Sequence, residues 1–355
     1  MSVAYKPVGW NRNKLIYDAF AVAAIAGYIL AYLQIGPLLA ENAAAVNRPI
    51  LRMRAFGTCA FLLLTVVLAI GPLARLDTRF LPLLYNRRHL GVLTAAVAFT
   101  HAVFVLDWYY AFSPTPRLVA LFTANDAYGS AIGFPFEMLG LFTLVVLVLM
   151  AVTSHDFWLS FLTPPVWKSL HMAVYAAYGA AVLHVALGPL AGGGERAFAV
   201  VVAASVAALA TLHLLAGRRE RAADKAFDER PTVDGWIDVG DVGDIAEGRA
   251  VIGAAPGGER IAVFRSKNGL SALSNVCSHQ NGPIGEGKVV RGLVTCPWHG
   301  YQYRLEDGCS PPPFKERLHK YRVRLEGNRI LVDPTPLPLG SRLDPVDLPT
   351  LEAGG

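Results

Sequence analysis

The 355-residue sequence predicts an integral membrane bundle of six helices (all-α) followed by a small all-β domain. Hydrophobic residues make up 54% of the chain and charged residues only 17%, against about 25% charged residues in an ordinary soluble domain. Residues 1–216 hold 13 Lys/Arg and 8 Asp/Glu, whereas residues 217–355 hold 19 of each. The positive surplus therefore belongs to the apolar part, where it indicates membrane orientation and not nucleic-acid binding.

Six apolar stretches of the first part are each long enough, at about 20 residues, to cross a hydrocarbon core of about 30 Å. They predict membrane spans near residues 17–39, 54–74, 89–111, 134–153, 167–188 and 197–216. With the N-terminus inside, the cytoplasmic segments hold twelve Lys/Arg and the opposite side holds five. This bias predicts a multi-pass protein of the inner (cytoplasmic) membrane, surrounded by lipid, with both termini in the cytoplasm.

Histidines inside the predicted spans are candidate haem ligands, because imidazole is a common axial ligand and polar side chains in lipid are usually functional. His101 lies halfway along the third span, and His171 and His184 lie 13 residues apart on the fifth. That spacing is about 20 Å of helix rise, so these two cannot share one haem. His89 opens the third span at the depth of His171 and is a weaker candidate. Each histidine could instead hydrogen-bond a neighbouring helix, and His213 is predicted at the membrane interface.

Two stretches, "YNRRHLGVLTAAVAFTHAVF" and "VWKSLHMAVYAAYGAAVLHVAL", resemble the ferric-reductase-like transmembrane domain. This superfamily includes ferric reductases, NADPH oxidases and the haem-bearing membrane subunit of periplasmic methionine sulfoxide reductase. The shared features are an R-R-x-L-G entrance, a His on span three, and W-K-x-L-H followed by L-H on span five. The resemblance covers about residues 12–216 and implies one or two b-type haems and electron transfer across the bilayer. Members with two haems often carry a second His further along span three. Here that region reads "SPTP", so His89 would have to complete a second pair.

The sequence changes character after the last span. Residues 217–232, "GRRERAADKAFDERPT", are charged and poor in apolar residues, which predicts a linker. From Val233 onward, short alternating apolar runs separated by Gly, Asn and Asp predict the β-strands of a domain at 233–333. The remainder, residues 334–355, is rich in proline and is predicted to be an extended or disordered tail.

The β-domain carries a metal-ligand motif made of Cys277, His279, Cys296 and His299. The spacing is C-x-H, sixteen residues, then C-x-x-H. Zinc fingers of the usual kind place two Cys in one pair and two His in the other. A Rieske 2Fe–2S cluster needs two thiolates on one iron and two imidazoles on the other, and two mixed pairs meet that demand. The motif therefore resembles the Rieske family over residues 233–333. A structural zinc site is the alternative.

The variant of the motif is informative. Rieske proteins of cytochrome bc-type complexes carry an extra disulfide between the two loops and a Ser after the final "HG". Here residues 280–282 and Trp298 occupy the loop positions where that disulfide would lie, so it cannot form, and Tyr301 follows "HG" in place of Ser. Tyr303 matches the family tyrosine that hydrogen-bonds near a cluster sulfur. Fewer hydrogen bonds to sulfur predict a potential near the low end of the Rieske range, on the order of −150 mV. The domain resembles the ferredoxins that serve aromatic-ring oxygenases.

The motifs predict one-electron transfer and no catalytic residues. No later domain supplies the mononuclear iron site of an oxygenase, and "GAAPGGER" lacks the helix that follows a dinucleotide fingerprint. A cytoplasmic flavoprotein reductase or ferredoxin would reduce the cluster. Electrons would pass to the haems and then to an acceptor at the outer face: ferric iron, quinone, oxygen or a periplasmic protein. Two alternatives stay open: quinol-linked donation of electrons to a cytoplasmic oxygenase, and a haem-free ferredoxin tethered to the membrane.

Overall fold

The computed structural model describes residues 12–39, 47–130, 133–154, 158, 162, 164–191, 196–228, 232–254, 259–279, 282–297, 301–312 and 314–348. The chain separates into two compact units with a boundary between Leu215 and Ala216. The first is helical and the second contains the β-strands, which confirms the predicted fold class.

Seven helices are described: α1 Arg12–Leu39, α2 Arg48–Leu76, α3 Leu81–Tyr109, α4 Arg117–Thr123, α5 Glu137–Thr153, α6 Pro164–Val185 and α7 Arg196–Asp228. Helix α6 continues into a π-helical turn at Ala186–Leu190. Five of the helices are long and apolar enough to cross a membrane, whereas α5 is a shorter apolar helix of 17 residues. Each predicted span falls on one of these helices; the span predicted from residue 134 becomes helical at Glu137.

The helical unit has an interior of large apolar side chains and an apolar exterior. Its core is formed by residues of α2, α3, α5, α6 and α7, among them Phe61, Leu64, Leu68, Ala95, Leu147, Val174, Tyr178 and Leu209. Large apolar side chains such as Phe20, Val200 and Leu214 remain exposed on the outer surface. Apolar side chains on the outer surface of a helical bundle are expected where the bundle is surrounded by lipid.

Residues 217–228 of the predicted linker are helical. The sequence predicted a linker from residue 217, but the helix continues to Asp228. The segment "GRRERAADKAFD" is charged but consists mainly of Ala, Arg, Glu and Lys, which are strong helix formers. High charge therefore marks the end of the apolar stretch and not the end of the helix.

The second unit contains three antiparallel sheets with strand orders β1-β2-β11-β10, β3-β4-β5-β9 and β6-β7-β8. The strands are β1 Thr232–Val233, β2 Trp236–Asp241, β3 Ala250–Ala254, β4 Arg260–Ser266, β5 Gly269–Ser274, β6 Lys288–Val290, β7 Leu293–Thr295, β8 Gln302–Arg304, β9 Lys320–Tyr321, β10 Val323–Glu326 and β11 Arg329–Val332. Strand β4 contributes side chains to two hydrophobic cores, because successive side chains of a strand point to opposite faces. Ile261 and Val263 enter one core, and Ala262 and Phe264 enter the other.

The described part of the predicted extended or disordered tail, residues 334–348, lies against the β-domain. Val346 forms an antiparallel bridge with Leu270, and the Leu343 N–H donates to the Glu306 carbonyl at 3.1 Å. Gly269, which precedes Leu270, has a φ of 115°, and a Cβ there would collide with the Val346 carbonyl. Prolines keep this segment out of a regular strand, but the N–H groups of Leu337 and Val346 also donate to carbonyls of the domain.

Candidate redox centres

Two loops of the β-domain carry the predicted cluster ligands and are closed in the same way. Cys277 follows strand β5 and Cys296 follows strand β7. The Cys277 N–H donates to the Gly282 carbonyl at 2.9 Å, and the Cys296 N–H donates to the Tyr301 carbonyl at 2.7 Å. Each hydrogen bond joins a cysteine to the residue five positions later. The two thiols are 0% and 1% exposed, which suits ligands of a buried cluster.

His279 is held by an aromatic stack. Its imidazole is 2% exposed and lies on the Tyr301 ring, with centroids 4.1 Å apart and planes 10° apart. The edge of Phe314 packs on Tyr301 in turn, at 4.7 Å between centroids. The stack fixes the orientation of the imidazole and covers one of its faces.

The fourth predicted ligand, His299, lies outside the described residues, together with Trp298 and Gly300. Within the part of the chain that the structure describes, no three His, Cys, Asp or Glu side chains form a metal-binding group. The donor set itself fits a Rieske cluster, because Cys277, Cys296 and His279 supply two buried thiols and a buried imidazole on matching loops.

Tyr303 lies within hydrogen-bonding distance of one predicted cluster ligand. Its Oη lies 3.2 Å from Cys277 Sγ. Burial, and then the neighbouring Cys277 and Cys296, raise the pKa of Tyr303 well above its ordinary value. The phenol therefore keeps its proton and can donate a hydrogen bond to the Cys277 sulfur.

The three histidines predicted inside the spans share one hydrogen-bond pattern. In each of them Nδ1 lies beside a backbone carbonyl: Met53 for His101 at 2.9 Å, Phe136 for His184 at 2.9 Å and Trp167 for His171 at 3.0 Å. Since a carbonyl only accepts, Nδ1 carries the proton and Nε2 carries the lone pair. This is the tautomer that a metal ligand needs, with an outer oxygen that orients the ring.

His101 and His184 are supported by the same arrangement in two helix pairs, α2–α3 and α5–α6. Each histidine bonds a carbonyl 48 residues earlier in the sequence. A glycine one helical turn after the residue that supplies this carbonyl packs against the imidazole ring. A Cβ at Gly57 would lie 2.9 Å from His101 Cε1, and one at Gly140 would lie 2.8 Å from His184 Cε1. Only glycine lets the neighbouring helix approach the ring this closely.

The structure brings His101 and His184 together. Their ring centroids are 6.3 Å apart and the ring planes are 82° apart. Two metal–nitrogen bonds to imidazole are about 2.0 Å each. A five-membered ring with bonds of about 1.33 Å has a radius of about 1.1 Å. These lengths add up to about the observed separation, so the two imidazoles could together hold one haem iron.

His171 and His89 lie outside this pair. The Nε2 atom of His171 is buried and has no hydrogen-bond partner among the described residues, and the Trp167 ring stacks on the imidazole at 3.5 Å. His89 Nδ1 lies 2.8 and 2.9 Å from the two carboxylate oxygens of Asp18 on α1.

The pairing of His101 with His184 limits where a partner for His171 could lie. Helices α3 and α6 run in the same direction, and His101 meets the second histidine of α6. A partner for His171, the first histidine of α6, must therefore precede His101 on α3. It cannot lie in the "SPTP" region that follows.

The apolar helices with a histidine pair, joined to a β-domain with two Cys/His loops, define a membrane-bound electron-transfer protein. Residues 56–182 match the family described as "Ferric reductase like transmembrane component", and residues 235–322 match the "Rieske [2Fe-2S] domain". The chain is therefore a multi-pass membrane protein that combines these two domains. His101 and His171 fall within the first match, and His184 lies two residues beyond its end.

Several known proteins are similar in sequence to part of this chain. Apoptosis-inducing factor 3 of Homo sapiens is 30% identical over 74 residues, which are 21% of this chain and 12% of the relative's length. The naphthalene 1,2-dioxygenase system ferredoxin component of Pseudomonas aeruginosa is 27% identical over 101 residues, or 28% of this chain and 94% of the ferredoxin. The solved ferredoxin of carbazole 1,9a-dioxygenase from Nocardioides aromaticivorans IC177 is 23% identical, with 28% and 98% coverage and a TM-score of 0.27.

Proposed function

We propose that this protein conducts single electrons from a cytoplasmic donor, by way of its Rieske domain and membrane histidines, to an acceptor at the outer face. The observation that carries the proposal is the His101–His184 pair, whose ring centroids lie 6.3 Å apart and whose Nδ1 atoms are each bonded to a backbone carbonyl. A membrane anchor needs no such pair, and each imidazole buried among apolar helices carries a desolvation cost that a bound metal offsets.

The Rieske domain is the proposed entry point. Cys277, His279, Cys296 and His299 would hold the 2Fe–2S cluster, which accepts one electron when bound. The chain's own residues tune and protect that site. Tyr303 donates to the Cys277 sulfur, and the stack of Tyr301 on His279 excludes water from one ligand face.

The helical bundle is the proposed exit. His101 and His184 would hold one haem b, and His171 offers a buried nitrogen lone pair for a second. His89 stays a predicted ligand for that second haem. Its Nδ1 is bonded to the Asp18 carboxylate, a contact that would strengthen the basicity of the opposite nitrogen.

The partners and the orientation are also proposals. The excess of Lys/Arg on one side supports the inner membrane with both termini and the Rieske domain in the cytoplasm. A flavoprotein reductase or a ferredoxin would be the donor. Ferric iron, quinone, oxygen or a periplasmic protein would be the acceptor.

The proposal is tested with the full chain in sealed proteoliposomes that contain an impermeant oxidant such as ferricyanide. An impermeant reductant is added outside, and bleaching of the trapped oxidant is followed. We expect bleaching with the intact protein and none with His184→Ala or with Cys296→Ser, which removes the cluster alone. Equal rates for His184→Ala and the intact protein would contradict conduction through the histidine pair.

The similarity to a dioxygenase ferredoxin component favours one second candidate, in which quinol electrons flow to a cytoplasmic oxygenase. Midpoint potentials separate the two directions. A haem potential well below the cluster potential supports this second candidate. A haem potential at or above the cluster potential supports electron flow from the cytoplasm outward.

A further inference from the structure

Tyr175 of α6 and His213 of α7 form a hydrogen-bonded pair on the surface of the helical unit. The Tyr175 Oη atom lies 3.1 Å from His213 Nε2, and the two rings meet edge to face with centroids 5.6 Å apart. Tyr175 is 44% exposed, and Met172, one turn earlier on α6, is 53% exposed. Because lipid surrounds the apolar helices, this pair presents polar atoms to a phase that offers few hydrogen-bond partners.

The hydrogen bonds of the pair have a fixed direction when the imidazole is neutral. The Leu209 carbonyl lies 2.9 Å from His213 Nδ1, and since a carbonyl only accepts, Nδ1 carries the proton. The Nε2 atom is then the acceptor, and the Tyr175 hydroxyl donates to it. This leaves Tyr175 Oη with lone pairs and no further proton to offer. A ligand at Tyr175 must therefore be a hydrogen-bond donor.

A second tyrosine of α6 shows what a bond that only ties helices together looks like. Tyr178 Oη lies 3.2 Å from Thr65 Oγ1 of α2, and Tyr178 is 7% exposed within the apolar core of the helical unit. No ligand can reach that hydroxyl without opening the core. The Tyr175–His213 bond has the same composition of one tyrosine and one partner on another helix, but it lies where a molecule dissolved in the lipid can reach it.

A quinol is a lipid-soluble molecule with the required hydrogen-bonding groups. Its ring hydroxyls donate, whereas the carbonyl oxygens of the oxidised quinone only accept. The exposed ring of Tyr175 also offers a flat apolar face for an aromatic head group. Tyr175 follows His171 by four residues, about 6 Å of helix rise. A head group at Tyr175 would thus lie about one helical turn from a proposed haem ligand.

We infer that Tyr175 and His213 form a binding site for the head group of a membrane quinol. A quinol hydroxyl donates to Tyr175 Oη, the Tyr175 hydroxyl donates to His213 Nε2, and the site holds the reduced quinol in preference to the oxidised quinone. The inference names the chemical class of one partner. It rests on the proposed electron transfer only for the use of the bound quinol and not for its binding.

The test measures equilibrium binding of ubiquinol-1 and ubiquinone-1 to the full chain in lipid nanodiscs, with empty nanodiscs as the correction for partition into lipid. The protein is reduced before ubiquinol-1 is added and oxidised before ubiquinone-1 is added, so no electrons are exchanged. We expect ubiquinol-1 to bind about two- to tenfold more tightly, the factor that one hydrogen bond contributes.

Three variants identify the groups responsible for that preference. Tyr175→Phe combined with His213→Leu should weaken ubiquinol-1 binding about two- to tenfold and abolish the preference. His213→Leu alone frees the Tyr175 proton for a quinone carbonyl, so it should shift the preference towards ubiquinone-1. Tyr178→Phe is the matched control inside the core and should leave the binding of both molecules unchanged.

Two results would overturn the inference while the proposed conduction stands. One is ubiquinol-1 binding that the double variant leaves unchanged, which would make the pair a tie between α6 and α7. The other is equal affinity of the unmodified protein for ubiquinol-1 and ubiquinone-1. Failure of the proposed function has a different signature: trapped ferricyanide is not bleached in proteoliposomes, although the unmodified protein still binds ubiquinol-1 preferentially.

Discussion

His101 of α3 and His184 of α6 face each other at 6.3 Å between ring centroids, with nearly perpendicular planes. The two helices that carry them are each braced by another helix, through a carbonyl that fixes Nδ1 and a glycine that admits the ring. The pair is therefore preorganised by backbone groups, which side-chain substitutions elsewhere in the bundle disturb little.

The glycines that admit these rings give the first prediction. Gly140→Ala places a Cβ 2.8 Å from His184 Cε1, so the ring must shift. Overpacking of this kind costs about 1–3 kcal/mol, so the affinity for haem should fall roughly fivefold to a hundredfold. The measurement is haem per chain after purification and the low-spin band in the reduced spectrum. Gly57→Ala should act in the same way on His101.

Gly179 on α6 provides the matched control. A Cβ there meets nothing within 4 Å, so Gly179→Ala should keep the full haem content. Equal haem content in Gly140→Ala and Gly179→Ala would show that His184 does not hold haem through this contact.

Local patterns made the membrane spans and the Cys/His loops predictable, because length, hydropathy and ligand spacing are properties of short segments. The three span histidines were found as polar residues in lipid-length stretches. Their supports were missed, although the recurrence of a glycine at the same distance before His101 and His184 is a signal visible in the sequence. The Asp18–His89 contact and the Tyr301–His279 stack depend on tertiary packing, which no local pattern encodes.

The second prediction concerns Tyr303. Its hydrogen bond to Cys277 Sγ stabilises the more negative, reduced cluster. One such bond contributes about 0.5–1.5 kcal/mol, which for one electron is roughly 20–65 mV. Tyr303→Phe should lower the cluster potential by that amount, measured by titration of its EPR signal. Tyr321→Phe, in the other core of the domain, should leave the potential in place; a shift of equal size there would argue against the hydrogen bond.

The third prediction uses Lys320, which is 2% exposed. Its Nζ donates to the carbonyls of Leu305, Glu306 and Leu343 at 2.7, 3.0 and 3.1 Å. Burial lowers the pKa of Lys320 to about 8, whereas in the unfolded chain the pKa of lysine is about 10.4. Between these values the unfolded chain binds more protons, so the free energy of unfolding should rise with pH.

Lys320→Met should abolish this rise between about pH 8 and 10.5 and, by removing the hydrogen bonds that Nζ donates to the three carbonyls, lower stability by about 1–3 kcal/mol. Denaturant unfolding of the full chain, followed through the cluster absorbance, checks both effects. Identical pH slopes for the two proteins would mean that Lys320 keeps its ordinary pKa in the fold.

The fourth prediction separates the two centres. Cys296→Ser removes a thiolate from the proposed cluster and should abolish the cluster's EPR signal, while haem content stays unchanged. Cys309→Ser should keep both, because Cys309 is half-buried outside the two ligand loops, with its N–H bonded to Asp307. Loss of the cluster in Cys309→Ser, or of haem in Cys296→Ser, would contradict two independent sites.

The most direct measurement is a dithionite-reduced minus oxidised visible spectrum of the purified protein, with haem and non-haem iron quantified per chain. The account predicts b-type haem together with two non-haem irons in each chain. Two non-haem irons without haem would contradict it, and would leave the helices as a membrane tether for a ferredoxin.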